Sequence, residues 1–307
     1  MLEWKKDGWK ALIALAPMLL IIGIFTLYPI VNTVVISFFP KYDYVFDSYG
    51  DFGFNSYEKV LTDVKFWSSL GVTGLMVIVS VPLSIIISLL IAVALNSIKK
   101  LQGLFQTIFF LPYVTNGIAF GLVFATIFSP QPYGMINTML GWFGFDSVAW
   151  TGNSGTVPFW AGLVVITVYS VWNGLAFKIL VFIGGIQGID KQYYQAAQID
   201  GASKARVFRK ITLPLLSPMV LYITITSLIG AFKAYSSVVS LYGESMGNGR
   251  DGTFMTAVGY IYKYFNTVKS GISTNLSISA AAAVVLFIFI LIITGLQMIY
   301  NKKRVHY

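Results

Sequence analysis

Two short polar clusters interrupt long apolar stretches of this 307-residue chain, and they hold the side chains best suited to chemistry. They comprise Tyr113, Thr115, Asn116 and Gly117 in the first cluster and Tyr169, Ser170, Trp172, Asn173 and Gly174 in the second. Polar groups in apolar surroundings are costly, so they face a cavity or hydrogen-bond to a neighbouring helix. Two interpretations stay open: a ligand path lined by hydrogen-bonding groups and aromatic faces, or packing between helices.

The common catalytic constellations cannot be assembled from this chain. It has no cysteine, and its one histidine is His306, so thiolate chemistry, a Ser-His-acid triad and a zinc cluster are excluded. A phosphate-binding G-x-x-x-x-G-K-[ST] motif is absent from the sequence as well. We therefore expect no cofactor on this chain, and any use of ATP would fall to another chain.

A polar, basic segment at residues 189–212 separates two of the apolar stretches. Apolar residues recur at helical spacing from Ile189 to Ile199, which predicts a short amphipathic helix. Gly201 permits a sharp reversal of the chain, and the carboxylate of Asp200 is placed to cap a second helix over Ala202 to Lys210. The segment therefore predicts a helix-turn-helix.

The tip of this helix-turn-helix is built from small residues. They are Ala196, Ala197, Gly201 and Ala202. A smooth tip can enter a groove on a partner protein. The alternative is an amphipathic loop that rests on lipid headgroups, and spacing alone leaves both open.

The elements that must position these segments are membrane helices. Hydrophobic residues make up 56% of the chain and charged residues 11%, more apolar surface than a soluble core of this size can bury. Continuous apolar runs without strand alternation predict helices, so the fold class is an all-α integral membrane protein. Six spans are predicted at Ala11–Phe38, Leu70–Ser97, Leu104–Phe128, Val157–Gln187, Leu213–Tyr242 and Asn275–Tyr300. Prolines within them are expected to bend the helices rather than break them.

The distribution of basic residues predicts the orientation. Thirteen of the 21 Lys and Arg residues fall on one side of the six-span arrangement, six on the other and two within spans. The positive-inside rule then places both termini in the cytoplasm, with residues 1–10 as a cytoplasmic segment and residues 11–307 as the membrane domain. The net charge of +9 is accordingly a signal of topology and does not indicate nucleic-acid binding.

Lys178 and Lys233 are the two charges placed within spans. Lys178 lies close enough to the inner boundary that we expect its side chain to extend toward the headgroups. Lys233 has no acidic residue at its own depth, because no Asp or Glu falls within any predicted span. The hypothesis follows that an anionic substrate, or an acid of a second subunit, pairs with Lys233.

The chain resembles the permease subunits of ATP-binding-cassette (ABC) importers, in particular the carbohydrate group related to maltose and glycerol-phosphate importers. The resemblance is carried by Q-A-A-Q-I-D-G-A at 195–202 with I-T-L-P at 211–214, by L-P-Y-V at 111–114 and by Y-G-M-I-N-T-M-L at 133–140. It covers nearly the whole chain. It implies the type I importer permease fold and the import of a carbohydrate, for which we expect an oligosaccharide. The hypothesis on Lys233 adds a preference for acidic or otherwise polar oligosaccharides, such as uronate-containing fragments.

The resemblance also implies that segment 189–212 is the coupling loop that docks on an ATPase subunit. The matching positions are Gln195, Ala196, Ala197, Asp200, Gly201 and Ala202. The family's leading Glu is Gln195 here, so a salt bridge at this position becomes a neutral contact.

The resemblance further implies a substrate path across the membrane. Its residues are Tyr113, Asn116, Gly117, Ser170, Asn173, Gly174, Phe177, Gly230 and Lys233. The implied partners are a second homologous permease, two ATP-binding subunits that hold ATP and Mg²⁺, and an extracytoplasmic solute-binding protein. The implied location is the bacterial cytoplasmic membrane, with several spans embedded in the bilayer.

Other classes of function remain to be weighed against an importer subunit. A secondary transporter or channel would need no ATPase, but acidic residues for ion coupling are missing from the spans. A membrane-embedded enzyme is less favoured, given the cysteine and histidine inventory. A homodimeric permease also stays open.

Overall fold

The computed structural model describes residues 4–42, 48–98, 102–152, 157–247, 252–267 and 274–302. In these ranges every secondary-structure element of more than one residue is a helix, which confirms the predicted all-α class. His306 and the first three residues of the predicted cytoplasmic segment lie outside the described residues.

Four helices of the described chain are long and apolar enough to cross a membrane. They are Gly8–Ser37, Val64–Ser97, Phe159–Gln187 and Asn275–Tyr300. The first combines α1 (Trp4–Ile22), a π-helical turn at Gly23–Leu27 and α2 (Tyr28–Ser37). The second is α4 (Val64–Ser97), which follows the short α3 (Asn55–Thr62).

The predicted span Leu104–Phe128 is two helices rather than one. α5 (Gln102–Val114) and α6 (Gly117–Ile127) are separated at Thr115 and Asn116. Each is too short alone to cross a hydrocarbon layer of about 30 Å at 1.5 Å per residue. The predicted count of six spanning helices is therefore not confirmed.

The predicted span Leu213–Tyr242 is also interrupted. Lys204–Leu215 and Ser217–Phe232 form one apolar pair bent by 65°, which brings the spanning candidates to five at most over the described ranges. Pro218 lies at the start of the second member, whereas Pro82 lies inside the continuous α4. The helix thus continues without a break at Pro82, but helix ends accompany Pro112 and Pro218.

The remaining helices complete the order along the chain. They are α7 (Met135–Trp142), α8 (Phe159–Gln187), α9 (Lys191–Ile199), α10 (Lys204–Val207), a π-helical turn (Phe208–Thr212), α11 (Leu213–Leu215), α12 (Ser217–Phe232), α13 (Ser236–Tyr242), α14 (Ala257–Thr267) and α15 (Thr274–Lys302).

The chain divides into two compact units. The first consists of residues 1–66 and 260–288, and within it the hydroxyl of Ser277 donates a 2.6 Å hydrogen bond to the carbonyl oxygen of Phe39. This bond fastens the start of α15 to the end of the first apolar helix.

The second unit consists of residues 67–259 and 289–307. Its core is centred on Tyr242, a fully buried side chain whose hydroxyl lies 3.2 Å from the carbonyl oxygens of both Trp150 and Gly162. α6 and α13 approach closely at Gly121, where an added Cβ would overlap the side chain of Ser240. These contacts fix the walls of the cavity described next.

Candidate functional site

A polar-lined cavity of about 320 Å³ lies within the second unit. Its lining comes from α4, α8, α12, the α12–α13 connection and the start of α13. The polar members are Ser80, Ser84, Tyr169, Ser170, Asn173, Lys178, Ser227 and Ser237, and the glycines are Gly174 and Gly230. The arrangement offers many hydrogen-bonding groups to a polar ligand inside an apolar helix assembly.

Two serines of α4, Ser80 and Ser84, line the cavity. Together with Ser88 they recur every fourth residue on one face of the helix, and all three are buried. Each hydroxyl donates to a carbonyl oxygen of its own helix, such as Ser84 to Val81 at 2.9 Å. Their oxygens therefore stay free to accept a further hydrogen bond.

Lys178 provides the charge of the cavity. Its side chain is 8% exposed, and its Nζ donates a 2.9 Å hydrogen bond to the Oγ of Ser84. A Cβ on Gly174, one turn earlier in α8, would lie 2.6 Å from this Nζ. The expectation that Lys178 extends toward the inner boundary is wrong, because helical side chains lean toward the N-terminal end of their helix. Lys178 consequently runs back along α8, away from its Gln187 end.

Four of the predicted path residues line this cavity. They are Ser170, Asn173, Gly174 and Gly230. The structure thus brings together the second polar cluster of the sequence and one position of α12. Their contact with a substrate stays a prediction.

Tyr113 and Phe177 form a separate aromatic pair. Their rings stack with centroids 5.9 Å apart and planes at 21°, and Phe177 also lies 6.5 Å from the ring of Tyr222. Tyr113 and Tyr222 are exposed, so flat ring surface remains available on this pair. Such a surface suits the apolar face of a sugar, which is the role predicted for both residues.

Asn116 and Gly117 build the break between α5 and α6. The side chain of Asn116 accepts a 2.9 Å hydrogen bond from the amide of Ile118 and so caps α6. The carbonyl oxygen of Gly117 accepts a 2.8 Å hydrogen bond from the hydroxyl of Tyr169, a cavity residue. The break therefore contacts the cavity wall through Tyr169.

Lys233 lies outside a spanning helix. α12 ends at Phe232, and Lys233 is exposed at the C-terminal cap of that helix. The continuous helix predicted through this residue is therefore interrupted at Lys233, and its contact with a substrate stays a prediction. The sequence singled out Lys233 as the cation that could face a ligand. In the structure the lysine that lines the cavity is Lys178.

Segment 189–212 adopts the predicted helix-turn-helix. The carboxylate of Asp190 caps α9 by accepting a 2.9 Å hydrogen bond from the amide of Gln192. At the other end, the amides of Gly201 and Ala202 donate to the carbonyls of Gln198 and Ala197 at 3.1 and 2.9 Å. This is a Schellman motif, and its left-handed position is Gly201, with φ +65°.

The second helix of the segment differs from the prediction. Its cap is the side chain of Ser203, which accepts from the amide of Arg206 at 3.4 Å, and not the carboxylate of Asp200. Asp200 instead occupies the C-cap of α9. α10 covers only Lys204–Val207 and continues into the π-helical turn, so the predicted extent of 202–210 is too simple.

The exposure of the loop tip is uneven. Gln195, Ala196, Asp200 and Gly201 are exposed, and Ala202 is half-buried, whereas Ala197 is buried against the rest of the unit. The side chain of Ile199 is 87% exposed, although sequence periodicity grouped it with the apolar face. Together these residues give α9 an outward surface of small and apolar groups.

The loop joins two walls of the cavity directly. α8, which carries Asn173 and Lys178, ends at Gln187, and the bent pair that follows the loop leads into α12. The hydroxyls of Tyr194 and Thr212 lie 3.2 Å apart and close the base of the loop. α9 is therefore joined through the chain to α8 on one side and, by way of α10 and α11, to α12 on the other.

Sequence reasoning missed Ser80, Ser84 and Ser227 as cavity residues and misplaced the side chain of Lys178. The four-residue spacing of serines in α4 was the available signal. A serine stripe alone also fits helix packing, so contact with Lys178 could be found only in the folded chain.

Comparison with known proteins gives a consistent set of relatives. Residues 84–306 match the family described as binding-protein-dependent transport system inner membrane component. The arabinooligosaccharides transport system permease protein AraP of Halalkalibacterium halodurans is 32% identical over 289 residues, which cover 93% of this chain and 85% of that protein. The lactose transport system permease protein LacF of Rhizobium radiobacter is 28% identical over 301 residues, with 97% and 95% covered.

A solved structure shares the fold. A chain of the bacterial alginate ABC transporter, crystallised with an alginate pentasaccharide-bound periplasmic protein, superposes with a TM-score of 0.77 at 20% identity. The superposition covers 96% of this chain and 95% of that one.

Proposed function

The chain belongs to the family of binding-protein-dependent transport system inner membrane components, and we propose that it acts as the permease subunit of an ABC importer for an oligosaccharide. Its relatives are permeases for sugars and oligosaccharides, which favours a carbohydrate importer over a secondary transporter or channel. The chain is a multi-pass membrane protein. The family description supports the cytoplasmic membrane of a bacterium as its location.

The observation that carries the proposal is the position of segment 189–212 between two cavity walls. α8 enters the segment and α12 follows it, so a partner that moves α9 also moves the residues that line the cavity. This is the connection that a coupling loop requires, since an ATP-driven change must reach the substrate path through rigid elements.

In this proposal two ATP-binding subunits hold ATP and Mg²⁺, and this chain holds neither. One of these subunits receives α9 through Gln195, Ala196, Asp200 and Gly201, which are exposed, while the buried Ala197 keeps the helix seated. Ile199 supplies an apolar contact area at the tip. A neutral Gln195 contributes a hydrogen bond rather than an ion pair.

The substrate passes through the cavity of the second unit with the help of a second homologous permease. Serine and asparagine side chains would contact sugar hydroxyls, and the stacked Tyr113 and Phe177 would support an apolar sugar face. An extracytoplasmic solute-binding protein would deliver the substrate. Alternation between outward-open and inward-open forms follows closure and opening of the ATPase pair.

The test is purification of the tagged chain in mild detergent from its own host, with identification of the proteins that accompany it. We expect an ATP-binding subunit and a second permease in stable amounts, and ATP hydrolysis that sugar-loaded binding protein stimulates. Recovery of the chain alone, with sugar uptake that survives depletion of cellular ATP, would contradict an ABC importer.

A further inference from the structure

We propose that Lys178 recognises an anionic group on the transported sugar, so that the importer takes oligosaccharides bearing carboxylates, such as uronates. The inference rests on the proposed function, because it names the substrate class of the same cavity. It replaces the earlier hypothesis on Lys233, which is exposed at the end of α12.

The charge on Lys178 has no counter-charge within this chain's cavity. The side chain is 8% exposed, and the hydrogen bond found for it in the described part of the chain goes to the neutral hydroxyl of Ser84. The sequence has no Asp or Glu between Asp63 and Asp146, between Asp146 and Asp190, or from Gly201 to Gly243. α4, α8 and α12 are therefore all free of acids, and a buried ammonium without an anion is strongly disfavoured.

The local packing makes room for this ammonium rather than excluding it. Gly174 lies one turn before Lys178, and any side chain there would collide with the Nζ at 2.6 Å. Ser84 donates its own proton to the carbonyl of Val81 at 2.9 Å, which leaves its oxygen to accept from Lys178. The ammonium of Lys178 has three N–H donors. One donates to Ser84, so two remain for a ligand in the cavity.

The neighbours of Lys178 complete a site for an acidic sugar. Ser170, Asn173 and Ser227 line the same cavity and can form hydrogen bonds with the hydroxyl groups of a sugar. A carboxylate on Lys178 would form a charge-assisted hydrogen bond, which is roughly twice as strong as a neutral one. A neutral sugar of the same size would leave the ammonium without its counter-charge, and this difference is the source of selectivity.

The experiment measures uptake of labelled trisaccharides by host cells that carry chromosomal variants, with a deletion strain as the background. The probes are trisaccharides of galacturonate, mannuronate and glucuronate, each paired with its carboxyl-reduced counterpart of identical linkage. The variants are Lys178→Met, which keeps the length without the charge, Lys178→Arg, which keeps the charge, and Lys263→Met as the matched control on an exposed lysine of α14. Membrane amounts of the chain and of its co-purifying ATPase subunit are measured in each strain.

We expect the wild type and Lys263→Met to take up at least one uronate trisaccharide in preference to its reduced counterpart. Lys178→Met should lower that uptake about tenfold or more and abolish the preference, while Lys178→Arg keeps it. Equal loss of both sugars in Lys178→Met at normal membrane amounts would overturn the inference and assign the lysine to pairing with an acid of the second permease. Wild-type uptake of neutral sugars only, or of none of the probes while the ATPase subunit still co-purifies, would also overturn it and leave the importer proposal standing. If no ATPase subunit co-purifies with the chain, the result would instead contradict the importer proposal.

Discussion

The hydroxyl of Tyr169 donates a 2.8 Å hydrogen bond to the carbonyl oxygen of Gly117, 52 residues earlier in the chain. Tyr169 lies on the cavity wall in α8, and Gly117 begins α6 directly after the break that Asn116 caps. The bond therefore fixes the break between α5 and α6 to the wall of the polar-lined cavity. A Cβ at Gly117 would lie 3.4 Å from this hydroxyl oxygen, at the edge of ordinary van der Waals contact.

Removal of this hydroxyl should loosen the break. We expect Tyr169→Phe to cost about 0.5–1.5 kcal/mol, the usual contribution of one hydrogen bond, and to lower the Tm of the detergent-solubilised complex by a few degrees. Tyr222→Phe is the control, because its ring is exposed and the described contact is to Phe177 alone. Equal Tm values for Tyr169→Phe and the wild type would show that other contacts hold the break.

The close approach of α6 and α13 predicts a steric effect at Gly121. Because an added Cβ would overlap Ser240, we expect Gly121→Ala to destabilise the complex by about 1–3 kcal/mol, as overpacking does. Ser240→Gly in the same chain should restore much of the loss. Gly141→Ala in α7 is the control, since nothing lies within 4 Å of a Cβ there. Thermal unfolding of the wild type and the three variants checks the prediction, and failure of Ser240→Gly to rescue would contradict it.

The Schellman turn predicts unequal effects within the coupling loop. Gly201 has φ +65°, which proline cannot adopt, so Gly201→Pro should reduce sugar-stimulated ATPase activity and uptake about tenfold or more. Gln195→Ala removes an exposed neutral group and should have a smaller effect on both. Gly201→Asn, which tolerates the left-handed region, should retain most of the activity. Similar losses from Gln195→Ala and Gly201→Pro would argue against a turn that transmits force.

A pH effect is expected in the first unit. The Asp63 carboxylate accepts hydrogen bonds from the hydroxyls of Tyr260 and Tyr264 at 2.7 and 3.4 Å and from the amide of Lys65 at 2.8 Å. Burial raises the pKa of Asp63, but these hydrogen bonds and the Lys65 charge outweigh it and hold the pKa below its usual value. The stabilisation is thus fully present above the unfolded pKa, about 3.9, and is lost as pH falls through the lower folded value.

The measurement is the Tm of the wild type and of Asp63→Asn between about pH 3 and pH 7. Asp63→Asn should be less stable at pH 7, and the gap should close as the wild-type carboxylate is protonated. Asp146→Asn, at an exposed position, should follow the wild type throughout. A gap that stays constant over the whole range would assign the effect to packing rather than to charge.

Sequence patterns predicted the helices more reliably than their interruptions. The runs that became α4, α8 and α15 are uniform in hydropathy, and their helical class follows from the cost of bare backbone in lipid. The break at Thr115 and Asn116 lies in a polar cluster that the predicted span ran through, and it depends on a cap at Asn116 and on a contact with Tyr169 far along the chain. Similarly, α12 ends at Phe232, directly before Lys233, whereas the predicted span continued to Tyr242.

The candidate site was also predicted only in part, because local residue types were visible in the sequence and contacts between distant residues were not. Ser170, Asn173 and Gly174 stood out as polar and small residues within an apolar run, and they line the cavity. The local turn at Gly201 followed from residue type, since glycine favours a positive φ. The direction of the Lys178 side chain did not, because it depends on Ser84, which lies 94 residues away in another helix.

Contact between α9 and an ATPase subunit is the central claim, and crosslinking tests it most directly. The chain has no native cysteine, so Ala196→Cys introduces a single thiol at the exposed loop tip, to which a benzophenone group can be attached in native membranes. We predict that illumination joins the chain to an ATP-binding subunit and that ATP hydrolysis falls in proportion to the adduct. Asp146→Cys, exposed in a different loop, should give no such adduct. Adducts with lipid alone from Ala196→Cys, in membranes that still import the sugar, would contradict the account and favour a loop that rests on the headgroups.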